Sequence, residues 1–158
     1  MIFTKALPYE QIKQQLDARA DVIMIIGCES CVRASGCGGE EKMKELALRL
    51  RKDGFDVRDG YMVPGSCSPK VLFAKVGKDV NTIVSLACSA GLSNVKRYFS
   101  GRCKIVSTTV DVGLMVSDSE VEKLQVTIPY KGHEAETEHA YGLYTGKPVD
   151  TLLLKEAH

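Results

Sequence analysis

The run Val22-Ile23-Met24-Ile25-Ile26 carries apolar side chains at both strand parities. A strand with one wet face alternates, whereas a strand buried on both faces does not. The run therefore predicts the central strand of a parallel sheet covered by helices on both sides.

The segments around it supply such helices. Residues 8–19 put Tyr9, Ile12 and Leu16 on one helical face, with Pro8 near the start. Residues 40–52 carry Met43, Leu46, Ala47 and Leu50 as a stripe, with acids in front, bases behind and Gly54 just beyond, an order that suits the helix dipole and a glycine stop. Residues 55–63 read as a second strand, and Ser66-Cys67-Ser68-Pro69 opens a helix through Val71, Leu72 and Val76. A third strand over 82–87, a helix over 90–99 and a fourth strand over 104–109 follow. This alternation predicts an α/β fold with a three-layer, doubly wound, mainly parallel sheet of the Rossmann or flavodoxin-like kind. Residues 1–110 would form this α/β cysteine-site domain. Beyond Val110 the pattern weakens: residues 124–130 alternate as an added edge strand would, and 131–147 are polar and glycine-marked without periodicity. Residues 111–158 therefore read as an irregular C-terminal extension that packs on the domain or on a partner subunit.

Charge selects no polyanionic partner. A formal net charge of +1 over 158 residues gives no field to gather nucleic acid or anionic lipid. The N-terminus lacks the apolar core of a secretion signal, and no apolar run is long enough to cross a bilayer. The expected compartment is the cytoplasm, where thiols stay reduced and six cysteines serve metal binding or redox work rather than disulfides.

The cysteines follow the strands. Cys28 and Cys31 come after the first strand of the parallel set, Cys67 after the second and Cys88 after the third, each before the next helix. In a parallel sheet these loops leave one edge, the carboxyl end where ligands of open α/β sheets collect. Four thiolates gathered there suit zinc or an iron–sulfur cluster, and helix N-termini aimed at them favour thiolate over thiol. Cys37, in the first loop, is a fifth candidate ligand. Cys103 opens the fourth strand at the opposite edge and is expected to be a buried small hydrophobe.

Other chemistries fit less well. Thiol–disulfide exchange at Cys28-Glu29-Ser30-Cys31 is the runner-up, disfavoured because such a motif normally starts a helix and the expected helix begins only near Glu40. Gly36-Cys37-Gly38-Gly39 matches neither a phosphate loop nor a dinucleotide fingerprint. His133 and His139 are not one helical turn apart, as a zinc-protease motif requires, and no Ser/His/Asp set is visible. No catalytic group besides sulfur stands out.

Gly27-Cys28-Glu29-Ser30-Cys31, Gly38-Gly39-Glu40-Glu41-Lys42, Cys67-Ser68-Pro69-Lys70-Val71 and Leu86-Ala87-Cys88-Ser89-Ala90-Gly91, in that order, resemble the MetV family, across about residues 20–110. This is the cysteine-rich accessory subunit, or C-terminal domain, of methylenetetrahydrofolate reductases. The resemblance implies a non-catalytic subunit that carries a 4Fe-4S cluster or Zn2+ and pairs with a flavin-dependent methylenetetrahydrofolate reductase-like subunit or another redox subunit. It would relay electrons or organise the complex. The family's cysteines match Cys28, Cys31, Cys67 and Cys88. Ser35 stands where many members have a further cysteine, and the chain has no cysteine after Cys103, where many members carry a second cluster segment. A thiol or zinc-thiolate oxidoreductase, a methyl- or sulfur-transfer protein, and a purely structural adaptor are the alternatives.

Overall fold

A computed structural model describes residues 1–149. In chain order the elements are β1 (Ile2–Ala6), α1 (Tyr9–Gln14), β2 (Val22–Cys28), α2 (Cys31–Ala34), α3 (Glu40–Lys52), β3 (Asp56–Val63), a 3₁₀ turn (Pro69–Phe73), β4 (Thr82–Leu86), α4 (Ser89–Phe99) and β5 (Lys104–Ser107). They continue as β6 (Thr109–Asp118), β7 (Lys123–Pro129), a 3₁₀ turn (Glu134–Glu138), β8 (Ala140–Gly142) and β9 (Pro148–Val149). The strands form a four-stranded sheet ordered β3-β2-β4-β5 and a five-stranded sheet ordered β1-β6-β7-β8-β9.

The first sheet is parallel, and the expected central strand lies inside it: β2 pairs with β3 on one side and β4 on the other. Its two parities face two cores. Ile23 and Ile25 pack with Ile12 of α1 and Leu50 of α3. Met24 and Ile26 pack with Val71 of the first 3₁₀ turn and Val95 of α4. The apolar run is thus spent on both faces, as its pattern requires. Helix α3 matches the expected span, with Glu40 and Glu41 in its first turn, Arg49, Arg51 and Lys52 in its last, and Gly54 beyond at φ 89°.

Three elements differ from expectation. Helix α1 stops at Gln14 because a side-chain-capped turn intervenes: the Asp17 amide donates to Asp21 at 2.7 Å and the Arg19 amide to Asp17 at 2.8 Å. The helix expected from Ser66 is a single 3₁₀ turn. Its start signal is real, since the Ser68 hydroxyl accepts from the Lys70 amide and Pro69 opens the turn, but only Val71 of the turn is buried. The third difference is the extension. Its described part is not irregular but β6 to β9, an antiparallel sheet whose edge is the N-terminal strand β1. The 124–130 strand exists as β7, yet it lies inside this second sheet rather than at the edge of the first.

The second sheet has its own core of Phe3, Val112, Met115, Leu124, Val126 and Tyr141, with the Phe3 and Tyr141 ring centroids 4.5 Å apart. It is bolted to the carboxyl edge of the first. The Thr109 hydroxyl donates to the Ala87 carbonyl at 2.6 Å, the Ser89 amide to Asp111 at 3.0 Å, and the Tyr144 amide to the Ala34 carbonyl at 2.9 Å. Among the described residues no helix is long and apolar enough to cross a membrane.

Candidate thiolate site

The carboxyl ends of β2, β3 and β4 lie side by side, and the loops beyond them carry the expected cysteines. Cys28 ends β2, Cys31 begins α2 and Cys88 caps the N-terminus of α4. Backbone bonds tie these loops together. The Glu29 amide donates to the Val63 carbonyl at 3.0 Å, and the Ser66 amide donates to the Cys28 sulfur at 3.4 Å. The Asn94 side chain, one turn into α4, donates to the Ser66 and Ser68 carbonyls at 2.8 and 2.9 Å, which straps the Cys67 loop to the helix that Cys88 caps.

Asn94→Ala should free both carbonyls and cost about 1–2 kcal/mol. The expected result is a lower urea midpoint at unchanged slope and faster amide exchange in the Cys67 loop. Unchanged exchange there would show that the strap does not hold the loop.

Cys31 and Cys88 are neighbours at this edge, each the largest influence on the other's thiol. The neighbouring Cys88 side chain is the largest influence holding the Cys31 thiol down to about 5, helped by the Ile2 amide and the Ser30 hydroxyl and opposed by burial. The Ile2 amide lies 3.5 Å from the sulfur, so the second sheet contributes a donor to this site. Cys88 moves the other way, raised by the neighbouring Cys31 and by burial, while the Gly91 and Ala90 amides at the start of α4 pull it down. Of the two, Cys31 is the one whose ionised form its surroundings favour.

The other cysteines are placed differently. Cys28 is buried with Val32, Cys37 and Ala87. Cys67 is exposed at the tip of its loop. Cys37 is buried with its sulfur 2.8 Å from the Thr4 hydroxyl, and burial pushes its thiol up. Cys103 lies in the far-face core with Val80, Ile83 and Val95, as expected, donating to the Val80 carbonyl at 3.6 Å. Ser35 is a structural tie: its hydroxyl donates to the Cys31 carbonyl at 2.8 Å and accepts from the Thr4 amide at 3.1 Å. His133 and His139 flank the second 3₁₀ turn, away from the cysteines.

Among the described residues no three His, Cys, Asp or Glu side chains stand close enough together to hold a metal ion. Cys31 and Cys88 are neighbours, Cys28 ends β2, and Cys67 sits on a loop strapped to α4. Thiols are donors that suit a soft metal, and the buried Ser66 hydroxyl, next to Cys67 in the chain, has no hydrogen-bond partner among the described residues. Contrary to the expected gap before the next helix, Cys31 does start a helical turn, but its sulfur partner is Cys88 rather than Cys28. Sequence spacing could not reveal this, because the partners are joined only by the closure of β2 and β4. Comparison with protein-family models, with curated proteins and with solved structures finds no match.

Proposed function

We propose that the carboxyl edge of the parallel sheet, read as a doubly wound Rossmann-like sheet, is a thiolate metal centre built on Cys31 and Cys88 and completed by Cys28 and Cys67. The protein would serve as a cytoplasmic accessory subunit of a methylenetetrahydrofolate reductase-like one-carbon redox complex. The observation that carries this reading is the closeness of Cys31, at the start of α2, to Cys88, at the N-cap of α4, where the surroundings favour the ionised form of Cys31. A bound 4Fe-4S cluster would supply one-electron transfer, and zinc would supply a rigid docking face.

The chain's own residues do the rest. Cys31 offers a thiol whose ionised form is favoured, and Cys88 a thiol whose proton metal binding would displace. The Ser66 amide steadies the Cys28 sulfur, and Asn94 ties the Cys67 loop to α4. Cys37 is left out of the set because its thiol is engaged by Thr4.

A second reading, thiol–disulfide exchange, is favoured by the same closeness, now between Cys31 as attacking thiolate and Cys88 as resolving thiol. Anaerobic purification followed by iron, zinc and acid-labile sulfide analysis decides between the two. Brown protein with about four irons per chain is expected for a cubane cluster. Colourless protein with bound zinc supports the docking role. Cys67→Ser should lose the metal and Cys103→Ser should keep it; equal retention by both would refute the ligand set. Metal-free protein that forms a Cys31–Cys88 disulfide on mild oxidation establishes the second reading.

A further inference from the structure

Beside the thiolate site, on the face of the parallel sheet that carries α1 and α3, lies a cleft of about 390 Å³. Its walls are Leu7, Ile12, Leu46 and Leu86, and the Cys37 side chain reaches it from within. The size falls in the range of small-ligand sites, roughly 300–1,000 Å³, and the composition does too: an apolar interior with a few placed polar groups. It opens at the carboxyl ends of the strands, where open α/β sheets gather ligands.

The rim is charged in a particular way. Lys42 and Glu45 both line it and pair with each other at 3.4 Å, which cancels their charges. Arg49 also lines it and forms no ion pair among the described residues. Its guanidinium instead lies over the Tyr9 ring, 3.8 Å from the centroid. Tyr9 cannot swing away freely, because its hydroxyl donates to Asp53 at 2.6 Å. Asp53, which also feels the Arg49 charge, is held by the Tyr9 hydroxyl and by Lys13 at 3.6 Å, so Arg49 is a planar cation laid on a tethered ring with no ion-pair partner of its own among the described residues.

We propose that this cleft binds a small anion with an apolar ring, the ring against Leu46 and Leu86 and the acid group on Arg49. A guanidinium fork matches carboxylate, sulfonate or phosphate oxygens, so the acid can be any of these. The inner wall puts Cys37 against Cys28 in one buried cluster, so an occupant sits one residue layer behind the thiolate site. The binding does not depend on what the thiols hold.

Anilinonaphthalene sulfonate is the probe, titrated by fluorescence into the full chain as purified. Saturable binding at one site is expected. Arg49→Glu should weaken it roughly tenfold or more, the loss of a charge-assisted contact. Arg58→Glu makes the same charge change on β3, outside the cleft, and should leave binding within about twofold, as a solvent-screened distant charge does. Leu114→Asp, on the open face of the second sheet, should also leave it unchanged. Arg49 is exposed, so its variants keep the fold, checked by circular dichroism. The proposal is overturned if wild type shows no saturable binding, if Arg49→Glu binds like wild type, if Arg58→Glu weakens it as much, or if Leu114→Asp abolishes it.

Discussion

Gly146→Ala is expected to be the most damaging single-methyl change in the described chain. The loop after β8 meets the end of α2 backbone to backbone: a Cβ at Gly146 would lie 2.0 Å from the Ser35 carbonyl oxygen, and one at Gly36 would lie 2.3 Å from the Thr145 carbonyl carbon. Neither neighbour is a flexible side-chain tip, so the two segments must separate. Both glycines also sit at positive φ, 63° and 78°, where a side chain costs about 1–2 kcal/mol. Steric overpacking adds about 1–3 kcal/mol. Separation would also strain the bond from the Tyr144 amide to the Ala34 carbonyl and the stacking of Arg33 on Tyr144 at 4.8 Å. A loss of about 3 kcal/mol is expected for either variant, read as a lowered urea midpoint. Gly54→Ala provides the control: its φ is 89° but nothing lies within 4 Å, so it carries the backbone strain alone. Equal losses at Gly54 and Gly146 would show that the docking of the second sheet on α2 is not tight.

This docking explains why one half of the molecule was legible in the sequence and the other was not. In the parallel half, each residue's partner core is set by its parity or its helical face. The run through Ile25 and Ile26 and the stripe through Met43, Leu46 and Leu50 therefore announce themselves locally. In the antiparallel half the alternation is broken. Register shifts at Phe3/Thr4 and Leu114/Met115 change which parity faces inward, so Val112 and Met115 share a core although they are an odd number of residues apart. Strand β1 has its partner over a hundred residues away, in β6, and no local pattern reports that. The thiolate site divides along the same line. That Cys28, Cys31, Cys67 and Cys88 share an edge follows from strand order. That Cys31 faces Cys88, with Ile2 donating from the second sheet, requires both sheets at once.

Cys88→Ala should return Cys31 to ordinary thiol behaviour, in reduced, chelator-treated protein. In the wild type the neighbouring Cys88 side chain is the largest influence holding Cys31 near 5. Its sign is that of a group favoured in its ionised form. The stabilisation it gives is fully present above the ordinary thiol range and fades as pH falls through about 5. Cys88, being raised, contributes in the opposite sense, below the ordinary range and lost above it. At pH 6 an ordinary thiol of pKa about 8.5 is well under 1 % ionised, whereas Cys31 is mostly thiolate. A low-pKa thiolate is a weaker nucleophile, which returns part of that gain, so iodoacetamide should label Cys31 on the order of tenfold faster than an ordinary thiol of like exposure. In Cys88→Ala the rate at pH 6 should fall by about that factor and the inflection should move up. An inflection that stays near 5 would assign the charge to the Ile2 amide and Ser30 hydroxyl instead. The Cys31–Cys88 pair would then lose its place as the nucleus of the site. In metal-loaded protein the same labelling should be blocked at Cys31 while Cys103 behaves alike with and without metal, because Cys103 is held in the core at the far edge.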